Sequence, residues 1–161
     1  MLDIEERQGV AVLHMRRFGF NRLDVELLRR ITAAFEFVGA SRGVVLIGHG
    51  SKFAVGPANP RADELALAQH AALSAVRTHP GFVIAAINGD ALDAGFDLAA
   101  AAETRLMSRG LIGNSSEPLT VAEAAAIGLV ERSAGPASLL DEAIERAQLL
   151  APHSANVTLG Q

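Results

Sequence analysis

Phe82-Val83-Ile84-Ala85-Ala86-Ile87-Asn88-Gly89-Asp90-Ala91-Leu92-Asp93-Ala94-Gly95-Phe96-Asp97-Leu98 is the stretch that decides the fold. An apolar run stops at Asn88-Gly89, and an Ala-rich run with spaced acids begins near Ala94. That order reads as strand, tight turn and helix start. The first N–H groups of a helix have no intrahelical acceptor, so they can hold an oxyanion. Asp97 falls one turn into the helix, close to those donors. A plain βα turn in an α/β core has the same pattern and is the commoner case, so spacing alone leaves both readings open.

Outward from this stretch the chain reads as alternating elements. Leu2 to Arg7 alternates apolar and polar residues, and Val10 to Met15 follows after Gly9, which predicts a hairpin. Asp24 is a plausible N-cap for a helix through about Phe37, with Leu27, Leu28, Ile31, Ala34 and Phe35 on one face. Gly43 to Ile47 is a short buried strand, and a Gly/Pro-rich loop runs from Gly48 to Pro60. Leu65, Ala68, Ala72 and Val76 recur at helical spacing and predict a helix over Arg61 to Thr78. After the strand Phe82 to Ile87, a helix is expected over Ala94 to Glu103, and Thr104 to Pro118 reads as irregular, with a weak strand at most. Thr120-Val121-Ala122-Glu123 is a capping box that opens a short helix to Ile127, closed by Gly128. A short strand at Leu129 to Arg132 and an amphipathic helix from Ser138 to Leu150 complete the pattern.

Composition bounds the function. A length of 161 residues predicts one domain, 1–161, large enough for a sizeable core. Only 4% of residues are aromatic and the net charge is −4, so the chain lacks both the stacking platform and the basic footprint of a nucleic-acid binder. With no cysteine there are no disulfides and no thiolate ligands or nucleophiles, which fits a cytoplasmic protein. No apolar run reaches the ~18 residues of a membrane span. His14, His49, His70, His79 and His153 show no metal-ligand spacing, so no metal is expected. Gly48-His49-Gly50-Ser51-Lys52 lacks the order of a P-loop, and Ser115-Ser116 has no nucleophile elbow.

Five motifs, in order, resemble the crotonase superfamily, the enoyl-CoA hydratases and isomerases. Gly9-Val10-Ala11-Val12-Leu13 is similar to its opening strand. Phe20-Asn21-Arg22-Leu23-Asp24 is similar to its Asn-Ala-Leu-Asn element. Val44 to Gly56, ending Phe53-Ala54-Val55-Gly56, resembles the strand and loop that end in Phe-Ser-Ala-Gly-Ala-Asp. Ala86-Ile87-Asn88-Gly89-Asp90-Ala91-Leu92 resembles Ala-Val-Asn-Gly-x-Ala-Leu-Gly-Gly-Gly, and Glu123 to Val130 resembles Glu-Ala-x-x-Ile-Gly-Leu-Val. The resemblance implies an α/β fold of the ClpP/crotonase type. Its repeated β-β-α units stack short parallel sheets, and part of the family's C-terminal helical region is missing. It also implies an acyl-CoA thioester as substrate or ligand, no other cofactor, and a homo-oligomer, possibly a trimer.

The family stabilises a thioester enolate or related oxyanion with two backbone N–H groups. By the resemblance, one donor position falls on Pro57, which has no N–H, unless a loop shifted by one residue offers Ala58 instead. The other falls on Ala94, which keeps its N–H but adds a methyl where the family has glycine. The first of two family glutamates maps to Asp97, one methylene shorter. The second has no counterpart, because the stretch that carries it is deleted, and Glu117 is the only nearby substitute, in a sequence context that does not match. Asn21, Arg22, Leu23, Lys52, Gly56, Gly89 and Gly95 fall on positions that border the ligand, with Arg16, Arg17, Arg22 and Lys52 as cations for the CoA phosphates. Two functions remain: a crotonase-type enzyme with a remodelled site, or a non-catalytic binding or subunit-interaction module on the same fold. Asn88-Gly89, Gly95 and Asp97 favour the first; Pro57 and the missing glutamate favour the second.

Overall fold

The structure is a computed structural model that describes residues 1–17, 21–39, 42–57 and 63–150. Strands β1 (Leu2–Arg7) and β2 (Val10–Met15) form the expected antiparallel hairpin. Helix α1 spans Val25–Val38, and the Asp24 carboxylate accepts the Leu27 N–H at 2.9 Å as its cap. Then follow β3 (Val44–Ile47), β4 (Lys52–Val55), α2 (Asp63–Thr78), β5 (Val83–Ile87), β6 (Asp90–Leu92) and α3 (Ala94–Ala101). The chain continues through β7 (Thr104–Met107), β8 (Leu111–Gly113), β9 (Leu119–Thr120), α4 (Val121–Ala126), β10 (Glu131–Arg132) and α5 (Leu139–Leu150).

The strands divide between two sheets. One runs β1-β2-β3-β5-β7-β10 and the other β4-β6-β8-β9. Pairing is parallel except at the two hairpin-like edges, β1/β2 and β8/β9. Each unit sends its first strand (β3, β5, β7) to the larger sheet and its second (β4, β6, β8) to the smaller. This is the repeated β-β-α order of the crotonase fold, with stacked short parallel sheets.

The inner strands β2, β3 and β5 of the larger sheet are buried on both faces, so they read as nearly unbroken apolar runs rather than alternations. Ala11, Leu13, Val44, Leu46, Ala85 and Ile87 face the main core with α1, α2 and α3. Their neighbours Val12, Val45, Ile84 and Ala86 face Leu139, Ala143, Ile144 and Ala147 of α5.

Two stretches differ from expectation. The Gly48–Pro60 loop contains β4, and the irregular Thr104–Pro118 stretch contains β7 and β8. These strands are three or four residues long, too short to show a period of two. Their order comes from partners that lie far along the sequence. The helix expected from Arg61 begins its described part at Asp63, and the preceding residues lie outside the described range. Among the described residues no helix is long and apolar enough to cross a membrane.

Candidate active site

The end of β4 and the start of α3 are pressed together, and glycine makes the approach possible. A Cβ added at Gly95 would lie 1.8 Å from the Ala54 carbonyl oxygen, so no other residue fits there. A Cβ added at Gly56 would lie 2.5 Å from the Ala94 Cβ. The Ala94 methyl is therefore buried against Gly56, and Ala94 is 2% exposed. The two segments expected to carry the oxyanion donors are thus adjacent. Pro57 follows Gly56 directly and offers no N–H, while Ala58 lies outside the described residues. Among the described residues no oxygen accepts from the Ala94 N–H, as expected for the first residue of a helix.

Asparagine amides fix β4 from both sides. Asn21 is the one buried polar residue among those described, with φ of 57°. Its Nδ2 donates to the Met15 carbonyl at 2.8 Å and the Phe53 carbonyl at 3.0 Å, and its Oδ1 accepts the Arg17 N–H at 2.6 Å. The side chain stitches the end of β2 in one sheet to β4 in the other. Its polar atoms are committed to the protein. Asn88 does similar work at the β3–β4 turn. Its Oδ1 accepts the Gly48 N–H at 2.8 Å, and its Nδ2 donates to the Lys52 carbonyl at 3.0 Å. Gly89 lets the turns close, since a Cβ there would lie 2.0 Å from the Ser51 carbonyl oxygen.

The other ligand-bordering candidates fall into two groups. Leu23 is buried, and its N–H donates to the Val55 carbonyl at 2.8 Å, which places Asn21-Arg22-Leu23 along the end of β4. Arg22 bridges Val55 through its backbone, and its exposed side chain has no partner among the described residues. The other cations are engaged. Lys52 pairs with Asp90, Arg17 with Asp24 and, at 3.7 Å, Glu26, and Arg16 with Asp3 at 3.6 Å.

Asp97 lies on the first turn of α3, and its N–H donates to the Asp93 carbonyl at 3.0 Å. Its carboxyl pKa is raised, first by partial desolvation and then by the Asp93 charge, against the opposing Arg77 guanidinium of α2. The residue still reaches solvent, so it can exchange a proton with water. Glu117 is exposed in the turn closed by its N–H to the Asn114 carbonyl at 3.0 Å.

Asp93 is the residue that sequence reasoning missed. It has φ of 56° and ψ of −118° immediately before α3. Its signal was available, because it falls on the first glycine of the family's Gly-Gly-Gly run. Among the described residues no group of three His, Asp or Glu is placed to hold a metal ion.

Residues 5–111 match the enoyl-CoA hydratase/isomerase family. The chain belongs to this family. Among solved structures it is similar to DspI of Pseudomonas aeruginosa, at 20% identity and a TM-score of 0.85, over 94% of this chain and 80% of that one. It is also similar to an enoyl-CoA hydratase from Bacillus anthracis, at 21% identity and a TM-score of 0.81, covering 94% and 77% of the two chains. An enoyl-CoA hydratase from Mycobacterium avium subsp. paratuberculosis K-10 reaches 24% identity and a TM-score of 0.77, covering 98% and 86%. At such identities these likenesses show the fold, which is that of the crotonases. No curated protein matches the chain.

Proposed function

We propose that this member of the enoyl-CoA hydratase/isomerase family binds an acyl-CoA thioester at the junction of β4 and α3. The thioester oxygen takes the Ala94 N–H, and Asp97 handles a proton or a water beside it. The observation that carries the reading is the contact of Gly56 with Ala94, which sets a loop and a helix start around one point. A helix start favours negative charge through both its spare donors and its dipole. Arg22, exposed beside the end of β4, is the cation available for a CoA phosphate. The thioester is the ligand, and the chemistry calls for no other cofactor.

The site works below a two-donor standard. Loss of one oxyanion donor costs about 10²–10³ in rate. Pro57 removes the donor at its own position, and Ala58 is the nearest residue that can replace it. Asp97 is one methylene shorter than glutamate and acts through a bridging water. A single-domain chain that assembles as a homo-oligomer in the cytoplasm completes the proposal.

Calorimetric titration with crotonyl-CoA and with free CoA tests the reading. Both should bind, crotonyl-CoA more tightly, and Pro57→Ala should raise affinity for crotonyl-CoA and any hydration rate with it. Binding of neither by folded protein refutes the acyl-CoA reading and leaves an interaction module on the same fold.

A further inference from the structure

Asp93 is an aspartate where the backbone asks for glycine. Its φ of 56° with ψ of −118° is a region in which an L side chain is strained. Three hydrogen bonds hold it there. Its N–H donates to the Gly113 carbonyl at 2.9 Å, its Oδ1 accepts the Ser115 N–H at 3.1 Å, and its carbonyl accepts the Asp97 N–H at 3.0 Å. Two of the three run to the end of β8 and the residues just beyond it, at Gly113 and Ser115. The third runs to Asp97.

We propose that Asp93 is a positioning residue of the acyl-CoA site: its N–H and carboxylate fasten Gly113 and Ser115 onto the start of α3, one helical turn before Asp97. The inference rests on the function proposed above. A glycine at this position would relieve the strain, yet it would leave the Ser115 N–H without its acceptor and remove the carboxylate from beside Asp97. The aspartate thus serves two groups that glycine cannot.

The charges around Asp97 support this. Asp93 precedes it by one helical turn and raises its proton affinity, while Arg77 of α2 opposes. On the other elements packed against α3, Lys52 and Asp90, the first residues of β4 and β6, form an ion pair with each other.

The test uses the full chain and two variants. Asp93→Asn keeps a side-chain oxygen and tolerates positive φ, but it removes the charge. Asp93→Gly removes both the strain and the oxygen. The readouts are the carboxyl titration of Asp97 by NMR and hydrogen exchange at the Ser115 amide. In Asp93→Asn the Asp97 midpoint should move to lower pH with Ser115 still protected. In Asp93→Gly the midpoint should fall and Ser115 should lose protection. An unmoved Asp97 midpoint in Asp93→Asn, or a Ser115 amide still protected in Asp93→Gly, overturns the proposal. Crotonyl-CoA calorimetry on the unaltered chain reports on the ligand alone. Failure to bind there, with the Asp97 shift intact, refutes the acyl-CoA reading and not the coupling of Asp93 to Asp97.

Discussion

Substituting alanine at Gly56 should destabilise the protein, and removing the Ala94 methyl in the same chain should recover most of the loss. The new Cβ at Gly56 would lie 2.5 Å from the Ala94 Cβ, far inside contact distance. The next nearest atoms, the Ala94 Cα and the Leu23 Cβ, are each 3.5 Å away, which is ordinary contact. One methyl therefore makes the whole clash. Forcing an extra methyl into a packed site costs about 1–3 kcal/mol. Ala94→Gly alone should cost up to about 1 kcal/mol through helix propensity and a small void. If the clash is the cause, the double variant should be more stable than the sum of the singles by about 1–2 kcal/mol, as expected for residues in contact. The assay is urea unfolding followed by circular dichroism, since the chain has no Trp or Tyr to report by fluorescence. Additive losses in the double variant would refute the reasoning, because the Gly56–Ala94 contact would then not be what requires glycine. The same set of variants should lose and regain crotonyl-CoA affinity in parallel.

Three further outcomes follow from the structure. Asn21→Ala should cost about 3 kcal/mol, since it deletes three hydrogen bonds and takes the Asn21 donor from the Met15 and Phe53 carbonyls, and urea unfolding would reveal a smaller role if the loss stays within the range of a surface change. Asp97 has a folded pKa above its unfolded one, so the folded state binds the extra proton first and stability declines as pH rises from the ordinary carboxylate range through the raised value. Asp97→Asn should flatten that decline, and an unchanged slope of stability against pH would refute the assignment. Arg105 donates to the Leu129 and Ala102 carbonyls, each at 2.8 Å, and burial lowers its pKa. Arg105→Met should lose about 1–3 kcal/mol in thermal unfolding, because it strips two carbonyls of their donor, and Arg105→Lys should recover only part.

The elements that were legible in the sequence carry their own signals. The α1 face and its Asp24 cap are local patterns, and both are found. The capping box at Thr120 is present in full: its hydroxyl accepts the Glu123 N–H at 3.2 Å, and Glu123 Oε1 accepts the Thr120 N–H at 2.9 Å. What stayed hidden depends on distant partners. β4 is defined by pairing with β6 almost forty residues later, and its four residues show no period of their own. Asn21 reads in sequence as a ligand-bordering amide, yet its hydrogen bonds run to Met15 and Phe53. Nothing local to Asn21 announces that use. Asp93 was visible only as a departure from a glycine, and its strained dihedrals emerge once Ser115 and Gly113 are brought to it.

The candidate site therefore depends on a strand too short to hold itself in place. β4 is fixed by Asn21 at Phe53, by Asn88 at Lys52, by the Leu23 N–H at Val55 and by the close approach of Gly95 to Ala54. Every one of its four residues has an external restraint. The chain that leaves β4 does so from a fixed point, and Gly56 is held against Ala94 as it leaves. Any slip that brings an N–H into the place of Pro57 must then arise beyond Gly56, in the next residues of the loop. This divides the two ways of losing the first donor. If Ala58 supplies the hydrogen bond, Pro57→Ala changes affinity little, because the loop already reaches the oxygen. If the donor is absent, the same substitution restores an N–H at a point the scaffold has already placed. The gain in any hydration rate then approaches the factor of about 10²–10³ expected of one oxyanion donor. The rigidity of β4 makes the size of that gain a measure of geometry and not of refolding.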